Sequence, residues 1–142
     1  MTIRSGPMTL ALRWGPALAW MVLIFAASSL SSEALESAGS AKASRSAPVV
    51  ANQVTAHLIE FGVLAALLYR ALSFRRGLFV QWVVVVVVTT AYGASDEFHQ
   101  SFVPGRYPSW LDIGFDTVGA ILGSSAALAW IWLRRRVRPS IQ

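Results

Sequence analysis

The sequence predicts an all-α fold, an integral-membrane four-helix bundle, on three observations. The 142-residue chain is 55% hydrophobic and 13% charged, whereas an ordinary soluble domain carries about a quarter charged residues. Four apolar stretches, roughly 14–30, 52–72, 78–95 and 110–133, reach or exceed the ~17 residues a helix needs to cross a ~30 Å hydrocarbon core. Arginines stand at the ends of these stretches, where topology signals lie. One compact unit, 1–142, is expected at this length.

The first span, 14–30, follows Arg4 and Arg13 and sits near the lower length limit. An alternative reading makes residues 1–29 a cleaved signal peptide ending near Ala26-Ala27-Ser28-Ser29, which leaves three spans and the same sidedness. Residues 31–51 are rich in Ser and Ala and are expected to form a flexible external loop. Ser31, Ser32 and Glu33 are placed there to cap the first helix or line a site. The third span holds the run Val83 to Val88, a strand pattern in a soluble protein. In lipid every backbone group must be paired within the segment, so helix is expected instead. Ser109-Trp110-Leu111-Asp112 resembles a capping box and starts the fourth helix. Gly119 and Gly123 within it make a G-x-x-x-G, read as a close helix contact inside the bundle.

Sidedness follows from charge. Arg4 and Arg13, Arg75 and Arg76 in the turn after the second span, and the basic tail 134–142 share one side of a four-span chain. The positive-inside rule makes that side the cytoplasm of an inner or plasma membrane. Both termini are then cytoplasmic, and the 96–109 loop faces outward. The net charge of +5 does not suggest nucleic acid as a partner, because the arginines punctuate apolar segments and form no basic face. The lipid bilayer is the partner that composition names. A count of zero cysteines excludes disulfides and thiolate metal sites.

Polar residues gather at one depth. The block Asp96-Glu97-Phe98-His99-Gln100-Ser101-Phe102-Val103-Pro104-Gly105-Arg106 ends the third span, and charged groups beside hydrocarbon mark functional sites. His57 and Glu60 share a face at the outer end of the second span, at i and i+3, with the geometry of an acid/base or ligand pair. Pro104-Gly105 is a turn signal that re-aims Arg106. Asp112 and Asp116 share a face of the fourth helix, with Asp116 about 6 Å deeper. The candidate ligand-binding set is therefore His57, Glu60, Asp96, Glu97, His99, Gln100, Arg106, Ser109, Asp112 and Asp116. Glu97, His99, His57 and Asp112 are candidates for catalysis, and His57, Glu60, Asp96 and His99 for a divalent cation. So many carboxylates away from bulk water must be protonated, solvated, paired or neutralised by a cation.

The block from Asp96 to Arg106, followed by Ser109, Asp112, Gly119-Ala120 and Gly123, resembles the VanZ-like family of small membrane proteins. His57 in its His-x-x-x-Phe setting and Phe25-Ala26-Ala27-Ser28-Ser29 at the end of the first span match further elements of that family. The likeness covers about residues 15 to 130 and implies a single VanZ-like transmembrane domain. Two positions depart from the pattern. Val54 and Thr55 stand where a lysine or other polar residue is usual, and Asp116 stands where Asn is common, adding a negative charge. The family is named for a member linked to low-level resistance to the glycopeptide teicoplanin, so the resemblance implies a role in the cell envelope and no particular reaction.

Three functions stay open on the sequence. One is binding of a lipid-linked cell-wall precursor, a glycopeptide or another envelope ligand at the outer site. Another is metal-assisted or acid/base hydrolysis or transfer on a lipid, with Ser101, Ser109, a carboxylate or water as nucleophile. The third, suggested by Glu60 and Asp116 inside spans, is transport or proton relay.

Overall fold

The computed structural model describes residues 7–30, 47–72 and 77–137. Among the described residues there are four helices: α1 (Pro7–Ser28), α2 (Ala47–Ala71), α3 (Leu78–Gln100) and α4 (Trp110–Val137). All four are long and apolar enough to cross a bilayer, over Leu10–Ser28, Gln53–Ala71, Leu78–Gln100 and Trp110–Arg136. The chain is an all-α integral-membrane bundle.

The side chains are sorted for lipid. Val22, Leu23, Phe79, Val87 and Leu122 point outward and are exposed, while Gln81, Thr89, Asp96, Glu97, Gln100, Asp116 and Ser124 are buried. A soluble bundle places these classes the other way round. Trp110 and Trp130 are both exposed, and the rise between them along α4 is about 30 Å at ~1.5 Å per residue. That matches the spacing of two interfacial aromatic belts.

α2 packs against all three other helices, most extensively against α4. Small residues permit the approach: a Cβ on Gly119 would stand 2.7 Å from the Leu58 carbonyl oxygen, and one on Gly123 would collide with the carbonyl of Gly62. Phe61, Leu64, Leu68 and Tyr69 of α2 form the apolar centre with Val85, Ala120 and Ile24.

Side chains satisfy backbone groups that lipid would leave stranded. Pro16 inside α1 has no N–H for the Leu12 carbonyl, and Arg70 Nη2 donates to that oxygen at 3.4 Å. The carbonyls at the end of α2 accept from Arg13 Nε (Ala71, 2.7 Å) and from the Gln81 amide (Tyr69, 2.5 Å), which also reaches the carbonyl of Leu72 just past the helix. Trp20 Nε1 donates to Glu60 O and the Tyr92 hydroxyl to Met21 O, which fixes α1 to α2 and α3.

Element ends differ from the sequence expectation in four places. α1 begins at Pro7, ahead of the span expected from 14, because Arg13 is accommodated within the helix by its bond to α2. The loop expected over 31–51 gives way to helix from Ala47, with Pro48 in the first turn, where its missing N–H breaks no bond. Residues 31–46, with Ser31, Ser32 and Glu33, lie outside the described residues. α3 continues past residue 95 through Gln100, so Asp96 to Gln100 are helical and not part of the loop. α4 continues past 133 through Val137, with Arg134 and Arg136 laid over the rings of Trp130 and Trp132 at 4.3 and 3.6 Å. The rest of the basic tail, 138–142, lies outside the described residues, as do Arg4, Arg75 and Arg76.

Candidate functional site

Asp96, Glu97 and Gln100 belong to one buried stripe on α3 that starts at Gln81 and passes through Val85, Thr89 and Gly93. The three- and four-residue spacing keeps the stripe on one helix face. Its last turn therefore turns the polar residues into the bundle. Among the described residues, Arg106 is at this end, and the other arginines sit at the opposite end.

Two hydrogen-bonded groups form there. In the first, the Ser28 hydroxyl at the end of α1 donates to Asp96 Oδ1 at 2.6 Å, and Gln100 Nε2 donates to Asp96 Oδ2 at 2.9 Å. Arg106 Nε and Nη2 then both donate to Gln100 Oε1, at 3.1 and 2.6 Å. Gly105 makes this possible. Its φ of 77° is a conformation that favours glycine, and the turn it closes, with Arg106 N bonded to Val103 O at 3.1 Å, brings the guanidinium back over α3. His99 lies beside this group, stacked on Phe25 at 4.2 Å between centroids, with Nε2 3.0 Å from the Ser29 hydroxyl.

The second group joins α2, α3 and α4. His57 Nδ1 lies 2.8 Å from Asp116 Oδ1. Asp116 is 1% exposed and fits because position 93 opposite is glycine: a Cβ there would stand 2.6 Å from Asp116 Oδ2. Glu97 is 3% exposed and accepts the backbone N–H of Ser109 at Oε2, 2.8 Å. That donor is at the start of α4, whose N–H groups favour a carboxylate. Glu97 Oε1 and Asp116 Oδ2 are buried with no hydrogen-bond partner among the described residues. Ligand atoms of His57, Glu97 and Asp112 all lie within 4.8 Å of one another.

The structure thus places all ten candidate residues at one end of the bundle, but not in one group. His57 pairs with Asp116 of α4 and not with Glu60 one turn away on its own helix. Glu60 is half-buried, and its carbonyl accepts from Trp20. Of the cation candidates His57, Glu60, Asp96 and His99, only His57 falls in the three-residue group. Both carboxylate oxygens of Asp96 are taken by Ser28 and Gln100, and His99 is held on the α1 side.

Sequence reasoning missed the apolar half of the site. A cleft of about 380 Å³ opens between the facing ends of α3 and α4. Ala94, Phe98, Trp110 and Ile113 line it, together with Pro108, Ser101, Ser109 and Glu97. Phe98 and Trp110 are both exposed. The four-residue step from Ala94 to Phe98, beside Trp110 and Ile113, was the available signal.

Comparison with curated proteins and with solved structures returns no match. A family model does match: the one described as VanZ/LLP1 covers residues 13–133. That range takes in the second and third spans whole, most of the first and fourth, and every residue of both hydrogen-bonded groups, and by it the chain belongs to the VanZ/LLP1 family.

Proposed function

We propose that this multi-pass membrane protein presents its polar end on the extracytoplasmic side and there binds an anionic, lipid-linked ligand of the cell envelope. The observation that carries the reading is the cleft between α3 and α4. Its wall is apolar at Ala94, Phe98, Trp110 and Ile113 and polar at Glu97, Ser101 and Ser109. Such a lining suits an amphiphile whose hydrocarbon enters from the bilayer and whose head meets the polar groups. Arg106, at the same end of the bundle but outside the cleft lining, supplies the positive charge. Its contacts to Gln100 use Nε and Nη2, and a guanidinium has five donors in a fork matched to phosphate. The arginine-rich opposite end supports the sidedness through the positive-inside rule, and a role in glycopeptide susceptibility follows if the ligand is a cell-wall precursor.

The test uses protein in nanodiscs and a polyprenyl phosphate as the probe. Arg106→Ala is expected to weaken binding at least tenfold, and Ile113→Trp, which fills the cleft, to abolish it while the protein still inserts. Wild-type affinity in both variants overturns the reading. Because the chain has no cysteine, Tyr107→Cys gives a single thiol at an exposed position. A membrane-impermeant maleimide is expected to label it in intact cells, and labelling only after lysis contradicts the sidedness.

Hydrolysis or transfer on the same lipid is a second reading, favoured by the His57–Asp116 pair. A buried carboxylate that orients an imidazole is an arrangement used for acid/base work. Release of free phosphate or a transferred headgroup from a polyprenyl-phosphate-linked substrate, lost in His57→Gln, would support it.

A further inference from the structure

The geometry points to a divalent-cation site formed by His57 of α2, Glu97 of α3 and Asp112 of α4, with Asp116 holding the imidazole from behind. The inference does not rest on the lipid-ligand reading: Glu97 belongs to both, but His57, Asp112 and Asp116 lie outside the cleft lining.

Three observations converge. The ligand atoms of the three residues lie within 4.8 Å of one another, which is about the separation of two opposite oxygens around an ion bound at ~2.4 Å. A small contraction brings them to the ~2.0–2.2 Å radius of zinc. Glu97 is 3% exposed, and its Oε1 has no hydrogen-bond partner among the described residues. A bare carboxylate oxygen in that position is costly unless something positive meets it. Its other oxygen is fixed by Ser109 N, so the free one is held in place, not mobile.

The third observation is the pairing of His57. Nδ1 is engaged by Asp116 Oδ1 at 2.8 Å, so Nε2 is the ring nitrogen left for an ion. Carboxylate–histidine–metal arrangements of this kind fix the ring and raise its basicity as a ligand. Asp116 is almost completely buried, and Gly93 leaves the space it occupies. One imidazole with two carboxylates is a donor set for first-row divalent ions such as Zn²⁺ or Mn²⁺, and less so for Mg²⁺ or Ca²⁺, which favour oxygen alone. Three protein ligands leave coordination positions for water or an anionic oxygen. The ion would also offset the negative charge of Glu97, Asp112 and Asp116, which meet here with no arginine bonded to any of them among the described residues.

The experiment titrates the metal-free, detergent-purified full chain with Mn²⁺ and Zn²⁺ in the absence of any lipid-linked ligand. One equivalent per chain is expected, with a rise in Tm on binding. Glu97→Gln and Asp112→Asn are each expected to weaken binding at least 100-fold, and Asp116→Asn, a positioning change, by about 10- to 100-fold. Trp82→Phe, which removes a bond to Ser125, nine residues or about two and a half turns along α4 from Asp116, should bind as the wild type does. Pulsed EPR of bound Mn²⁺ is expected to show coupling to one histidine nitrogen, lost in His57→Gln even where that variant keeps some affinity. Absence of stoichiometric binding by the wild type at millimolar metal overturns the proposal. So does binding unchanged in both carboxylate variants, or a Mn²⁺ spectrum without nitrogen coupling in the wild-type protein. Failure of polyprenyl phosphate to bind leaves all these outcomes readable, so the two proposals fail separately.

Discussion

Gly123→Ala is expected to lower the stability of the bundle by about 1–3 kcal/mol, the usual cost of forcing a methyl into a packed interior. The added carbon meets the carbonyl of Gly62 on the facing helix, and a backbone carbonyl in a membrane helix cannot rotate away without losing its own hydrogen bond. α2 and α4 must therefore separate, although this is the most extensive contact in the fold. The site follows the packing, because His57 is on α2 and Asp116 on α4. Gly114→Ala is the informative partner, since nothing lies within 4 Å of a Cβ there. It is expected to be neutral or stabilising by up to ~1 kcal/mol, through helix propensity alone. Thermal unfolding of both variants in one detergent measures the contrast. Equal Tm values would mean that the α2–α4 contact is not as close as described.

Asp96→Ala is the second change of large effect. The carboxylate accepts from Ser28 on one oxygen and Gln100 on the other, and Gln100 in turn holds Arg106. Hydrogen bonds to a charged group contribute about 1.5–3 kcal/mol each, so losing both is expected to cost about 3–6 kcal/mol. Ser28 keeps its contact to Phe25 O at 3.1 Å, whereas the buried Gln100 amide loses its acceptor. Arg106 then loses its fixed position, and polyprenyl phosphate affinity is expected to fall along with Tm. Asp96→Asn, which retains one acceptor oxygen, should lose less on both measures. A Tm within about 1 °C of wild type for Asp96→Ala would show that this connection between α1 and α3 does not hold the end of the bundle together.

The fold was legible because lipid imposes one rule on every segment. The long apolar stretches had to be helices, and even the valine run from Val83 to Val88 obeys that rule as the middle of α3. The ends were less legible. Arg13 and Arg134 to Arg136 looked like flanking charges, yet they lie within helices, because a carbonyl of α2 receives Arg13 and tryptophan rings receive Arg134 and Arg136. The residue types of the site were visible as charges beside hydrocarbon, but their partners were not. His57 and Glu60 share a helix face, and local spacing paired them, whereas packing gave His57 to Asp116, fifty-nine positions away. Nothing local to Ser28 announces that it donates to Asp96 across the bundle. Gly93 is a similar case, since its role is to leave room for a carboxylate on another helix.

In the proposed function, the cleft between α3 and α4 is where an envelope lipid is held. A photo-reactive phenylalanine analogue at position 98, on the wall of that cleft, tests it directly in living cells. The same analogue at position 122, an exposed position on α4 outside the cleft lining, serves as the reference. Mass spectrometry of the adducts is expected to find a phosphate-bearing polyprenyl lipid on the protein labelled at 98 and only bulk phospholipid on that labelled at 122. The same bulk phospholipids at both positions would contradict the account.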